Sequence, residues 1–87
     1  MKKLKTKFKN LIILKSKVFL DKRGFFRETF KKNILKKDLI FGCSSKSKKN
    51  VLRGLHLQNK YSQGKFITVV KGEIFDVAVD LRRNSKT

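Results

Sequence analysis

Val51-Leu52-Arg53-Gly54-Leu55-His56-Leu57-Gln58, Lys65-Phe66-Ile67-Thr68-Val69-Val70 and Ile74-Phe75-Asp76-Val77-Ala78-Val79-Asp80-Leu81 are three apolar, partly β-branched runs. Polar turns at 59–64 and 71–73 separate them, each holding a glycine. Runs of this length and composition read as consecutive antiparallel strands of a sandwich or barrel. Upstream, Leu11 to Leu14 and Val18 to Leu20 read as shorter strands, Asp21-Lys22-Arg23-Gly24 as a turn, and Phe25 to Phe30 as a further strand. The first ten residues alternate lysine with other residues, the pattern of a frayed or edge strand. A short helix is expected from about Phe30 to Lys37, where Phe30 and Ile34 share a face. Gly42 to Asn50, rich in serine and lysine, reads as a loop.

Eighty-seven residues make one small domain at most, with room for a single core. Lysine and arginine number 24 against 6 acidic residues, a net charge of +18. Such an excess points towards nucleic acid or an anionic surface. Nineteen of the cations are lysines and only five are arginines, however, and groove readers and phosphate clamps favour arginine for its bidentate fork. The excess is therefore read as lysine-biased surface, and nucleic acid is not the expected partner. Cys43 is the single cysteine and His56 the single histidine, which excludes an internal disulfide and the usual metal-ligand clusters. No metal or other cofactor is expected, and a reducing cytoplasm fits. The basic start is followed by an apolar run only from Leu11 to Leu14, too short for a signal peptide or a membrane span. The scattered glycines match neither a dinucleotide-binding nor a phosphate-loop fingerprint.

His56 is the one side chain able to take a proton near pH 7 without help, and Arg53 beside it suits a phosphate or carboxylate. In an extended strand His56 and Gln58 share a face, while Arg53 has the opposite parity. A bulge at Gly54 would bring Arg53 and His56 to one side, so a bulge is expected there. Along 74–80, Ile74, Asp76, Ala78 and Asp80 share a face that suits solvent or a wet cavity. On residues alone, duller readings stay open. His56 can be a hydrogen-bonded structural histidine, Lys65 a solvated turn residue, Arg23 a partner of Asp21, and Phe25 and Phe26 core residues; Cys43 reads as inert.

Three blocks of sequence taken together resemble a known family. They are Ser45 to Gln58, Gln63-Gly64-Lys65, and Lys71-Gly72-Glu73-Ile74-Phe75-Asp76-Val77-Ala78-Val79-Asp80-Leu81-Arg82. With Val18 to Glu28 upstream, they are similar in order and register to the dTDP-4-dehydrorhamnose 3,5-epimerase family, metal-free cupins of nucleotide-sugar biosynthesis. The resemblance implies an all-β, cupin-type jelly-roll sandwich with one short helix, of which residues 1–87 form a single partial domain, the N-terminal half, opening with a basic segment at 1–10. It implies an isomerase that inverts C3 and C5 of a dTDP-4-keto sugar, acting as a homodimer with exchanged N-terminal strands. His56 resembles the general base, Lys65 the cation that meets the enolate oxygen, and Asp76 an acid that orients the cationic groups. Arg23 and Arg53 resemble ligands of the diphosphate and nucleotide, with Phe26 and Glu28 at the nucleotide end; Gln58, on the face of His56, joins the substrate-binding set. Two departures stand out. Phe41 and Cys43 occupy places where the family carries a glutamine and an asparagine, and the family's general-acid tyrosine, second histidine and histidine-pairing acid would fall beyond Thr87. A related single-centre epimerase or ketoisomerase, a small basic RNA-binding β domain, and an inactive remnant are the competing expectations.

Overall fold

The computed structural model describes residues 1–86. Four strands in two antiparallel pairs and one short helix make it all-β, as expected for part of a jelly roll. The chain divides into two compact units, one of residues 1–38 with the segment from Val69 onward, the other Leu39–Thr68.

All four strands lie in the first unit. β1 (Lys2–Lys5) pairs with β2 (Ile12–Lys15) so that Leu4 faces Ile13 and Lys2 faces Lys15. Leu4, Ile12 and Leu14 are half-buried while the lysines stay exposed, the division a lysine-edged strand pair should show. Thr6 closes the loop between them. Its Oγ1 accepts from the Phe8 N–H at 3.1 Å and donates to the Leu11 carbonyl at 2.7 Å.

β3 (Val18–Asp21) and β4 (Gly24–Arg27) form a hairpin in the register Val18 to Arg27, Phe19 to Phe26, Leu20 to Phe25 and Asp21 to Gly24. Its turn is the expected Asp21-Lys22-Arg23-Gly24. The Asp21 carboxylate accepts from the Arg23 N–H at 2.8 Å, a local Asx-type bond, and Gly24 takes φ +138, which an L side chain resists. Arg27 Nη2 then donates to the Val69 carbonyl at 2.8 Å, joining the hairpin to the chain's last segment.

The helix, α1 (Lys32–Leu35), is shorter than the sequence suggests. No side chain caps its start, no acid lies in its first turn, and Lys36 ends it in the left-handed region at φ 54. Lysines 31 and 32 at the positive end of the helix oppose its dipole, so one turn is all that forms. Ile34 and Leu35 are half-buried, as expected for the inward face.

The runs 51–58, 65–70 and 74–81, expected as strands, carry no ladder among the described residues. β-branched composition expresses fitness for a half-buried pleated surface, and a strand exists only once a neighbour accepts and donates its backbone bonds. Phe25 and Phe26, expected in the core, are 64% and 67% exposed, and among the described residues no side chain is fully buried. A folded chain of 10.2 kDa exposes about 5,300 Å² and its extended form about 14,800 Å². This chain exposes 9649 Å². It therefore buries about half of what a compact domain of its mass would, and much of its apolar surface is exposed.

Candidate active site

The second unit carries Arg53, His56, Gln58 and Lys65; the first carries Arg23, Phe26, Glu28 and Asp76. In the second unit Gly54 leaves the extended conformation at φ +105, and its peptide bond to Leu55 is cis. The backbone distortion falls at the glycine expected to bulge, although a bulge proper requires a partner strand and none pairs here among the described residues. The His56 imidazole lies folded back on Gly54: a Cβ placed there would sit 3.2 Å from Nδ1 and 3.6 Å from Cε1. His56 is exposed and has no carboxylate partner among the described residues. Among the described residues it makes no hydrogen bond.

Arg53 points elsewhere. Its Nη2 donates to the Lys46 carbonyl at 3.0 Å, closing the serine-lysine loop, whose turn is completed by the Val51 N–H to the Lys48 carbonyl at 3.4 Å and by Asn50 at φ 68. Gln58 Nε2 donates to the Tyr61 carbonyl at 2.9 Å, with Tyr61 itself in the left-handed region. Lys65 is exposed and forms no hydrogen bond or ion pair among the described residues. Leu39–Thr68 contains six lysines and arginines and no acid, so its field is uniformly positive. Such a field attracts anions in general.

In the first unit Arg23 meets Asp21, guanidinium to carboxylate at 2.8 Å. This side chain and backbone pairing holds the Asp21 carboxyl below its ordinary range. Phe26 lines a shallow cleft with Phe25, Arg27, Thr29 and Val70. Glu28 lies 4.0 Å from Lys31 one turn on, a loose surface pair. Asp76 is exposed and unpaired among the described residues.

One cluster escaped the sequence reading. Asp80 accepts from Arg82 Nε at 2.9 Å, Arg82 Nη2 at 2.8 Å, the Arg82 N–H at 3.1 Å and Ser85 Oγ at 2.7 Å. The Arg82 guanidinium, then Ser85, hold its carboxyl well below the usual carboxylate range, and Asp80 raises Arg82 in return. The side chain is 9% exposed and, with Phe8, Leu11, Ala78 and Val79, lines a second open cleft. Its signal was present as the spacing Asp-x-Arg, which recurs at 21–23 and 80–82. Among the described residues no three His, Cys, Asp or Glu side chains gather as a metal site would require. No helix among them is long and apolar enough to cross a membrane.

Residues 5–87 match a family model for dTDP-sugar isomerases, described as dTDP-4-dehydrorhamnose 3,5-epimerase. The chain belongs to that family. It is 45% identical to the dTDP-4-dehydrorhamnose 3,5-epimerase of Methanothermobacter thermautotrophicus, with 97% of this chain and 48% of the relative aligned. To the enzyme of that name from Shigella flexneri it is 45% identical, over 100% of this chain and 52% of the relative. To the one from Salmonella typhimurium it is 47% identical, over 97% and 50%. The chain thus spans about half the length of these relatives. No solved structure matches it.

Proposed function

We propose that this chain supplies one side of the active site of a dTDP-4-dehydrorhamnose 3,5-epimerase, which inverts C3 and C5 of dTDP-4-dehydro-6-deoxyglucose on the way to dTDP-L-rhamnose and surface polysaccharide. The observation that carries the proposal is the family match across 5–87, which takes in Arg53 to Gln58 and Asp76 together. The hydrogens at C3 and C5 flank the C4 ketone and are acidic because the ketone oxygen accepts the charge. His56, exposed and without a carboxylate partner among the described residues, removes the proton; the electron pair moves into the C3–C4 or C5–C4 bond, and the carbonyl becomes an enolate. Lys65, exposed and unpaired among the described residues, meets the oxygen with its ammonium. Arg53 and Arg23 take the diphosphate, exchanging their present bonds to Lys46 and Asp21 for phosphate oxygens. Phe26, Glu28 and Gln58 hold the rest of the nucleotide sugar, and Asp76 orients the cations. Inversion is complete when a proton returns to the opposite face, which needs an acid outside this set.

In this reading 1–87 is one partial domain, the working protein is a cytoplasmic homodimer, and neither nucleic acid nor membrane is a partner. The test is incubation with the keto sugar in D2O. Deuterium is expected at C3 and C5 by NMR, and its incorporation is expected to be lost in His56→Ala. Unchanged exchange in that variant overturns the base. Polynucleotide affinity that falls steeply with salt, with no affinity for dTDP, overturns the whole reading in favour of RNA binding.

A further inference from the structure

We infer that Asp21 is an internal competitor for the anion that Arg23 binds: its carboxylate holds the guanidinium when the diphosphate is away and weakens binding of the sugar nucleotide. This deepens the function proposed above and rests on Arg23 meeting the diphosphate there. Asp21 ends β3 and stands opposite Gly24 in the hairpin register, so its backbone is fixed. Its Oδ1 accepts from the Arg23 N–H at 2.8 Å, and its Oδ2 accepts from Arg23 Nη2 at 2.8 Å. The first bond belongs to the turn and stays in place wherever the Arg23 side chain goes. The second ends on a side chain that is 91% exposed. A fixed carboxylate facing a movable guanidinium makes a bond that opens and re-forms without rebuilding the hairpin.

The same Asp-x-Arg spacing at 80–82 gives a different device. There the carboxylate accepts from both Nε and Nη2 of Arg82 and from the Ser85 hydroxyl, and it is nearly covered. An anion approaching Arg82 would have to break a shielded, doubly bonded pair. At Arg23 it meets one side-chain bond in water, where an ion pair is weak. Carboxylate and phosphate oxygens ask the same thing of a guanidinium, two acceptors in the plane of its fork. A phosphate that takes Nη2 therefore displaces Oδ2, and the Asp21 charge, held by the turn, then stands beside the phosphate charge. This opposition is the same for substrate, transition state and product, so it lowers affinity without selecting among them.

Calorimetric titration of the full chain with dTDP at low ionic strength tests this. Asp21→Asn keeps an oxygen for the Arg23 N–H, and so the turn, while removing the charge. It is expected to tighten dTDP binding about two- to fivefold; unchanged or weaker binding overturns the competitor. Asp80→Asn makes the same change in net charge and is expected to leave dTDP affinity as it was; an equal gain there would make the effect one of overall charge and overturn the assignment to Asp21. In an Arg23→Ala background the gain from Asp21→Asn is expected to vanish, and a gain that persists overturns it. In the unmodified chain, saturating dTDP is expected to move the Asp21 carboxyl carbon-13 resonance. An unmoved resonance overturns the exchange, and this measurement decides if Asp21→Asn does not fold. If Arg23→Ala binds dTDP as tightly as the unmodified chain, or the unmodified chain binds none, Arg23 leaves the diphosphate and the competitor falls with it, while deuterium exchange through His56 still tests the epimerase reading separately.

Discussion

Asp21 and Asp80 each stand two residues before an arginine, and each folds back on it. The spacing is legible in sequence, but its strength is not: Asp21 lies in a turn where its side chain is 47% exposed, whereas Asp80 also takes the Ser85 hydroxyl and is nearly covered. Its pH consequence has a definite sign. The unfolded carboxyl binds a proton near pH 3.9, the folded one only at lower pH, so the clip's stabilisation is complete above that range and is lost as the pH falls through the folded value. A carbon-13 titration is expected to place the Asp80 inflection below about 3.9, and Asp80→Asn to flatten the acid limb of local stability at 80–85. An inflection at or above the unfolded value would reject the clip. For the candidate site, His56, Arg53 and Lys65 could be nominated from residue type and context alone. That Arg53 turns to the Lys46 carbonyl while His56 lies on Gly54 could not, because a side chain's direction follows from φ and ψ at its neighbours.

At the scale of elements, the hairpin of β3 and β4 was legible because its turn chemistry is local: an aspartate that bonds the backbone two residues on, then a glycine with positive φ. β1 and β2 were legible as short strands, and the lysines that line them keep their outer edges from pairing with other chains. Thr6 is the part no pattern announced. One hydroxyl accepts from Phe8 and donates to Leu11, closing the six-residue connection. Thr6→Val keeps the shape and removes both bonds, and is expected to cost about 1 kcal/mol of local stability. Faster amide exchange across Lys3, Lys5, Ile12 and Leu14 would show it; unchanged exchange would remove Thr6 from the account. The helix was expected near Phe30 to Lys37 and forms at Lys32–Leu35, because lysine-rich ends leave its first turn uncapped and its dipole opposed.

For the whole molecule, the governing quantity is surface. Leu20, Ile40, Leu52 and Phe75 are each more than four-fifths exposed, and no described side chain is fully buried. Apolar area of this extent is unfavourable in water and draws another surface over it. The 87-residue chain alone is expected to self-associate as its concentration rises, seen as a growing mass in light scattering, and to bind a hydrophobic dye. A monodisperse monomer that binds no dye would contradict this. The runs 51–58, 65–70 and 74–81 likewise hold strand composition without strand pairing among the described residues, since composition alone supplies no backbone partner.

By itself the sequence determined the class of secondary structure, the turn at 21–24, the family, and the residue types available for acid–base chemistry and phosphate binding. These depend on neighbours in the chain, where φ preferences, Asx bonds and the order of motifs already operate. The tertiary structure alone decided that the Asp80 side chain is nearly covered, that Arg27 reaches Val69, and that His56 lies close to Gly54. Each of these is a meeting of atoms in space, and its energy depends on distance and on exclusion of water, neither of which a one-dimensional pattern contains.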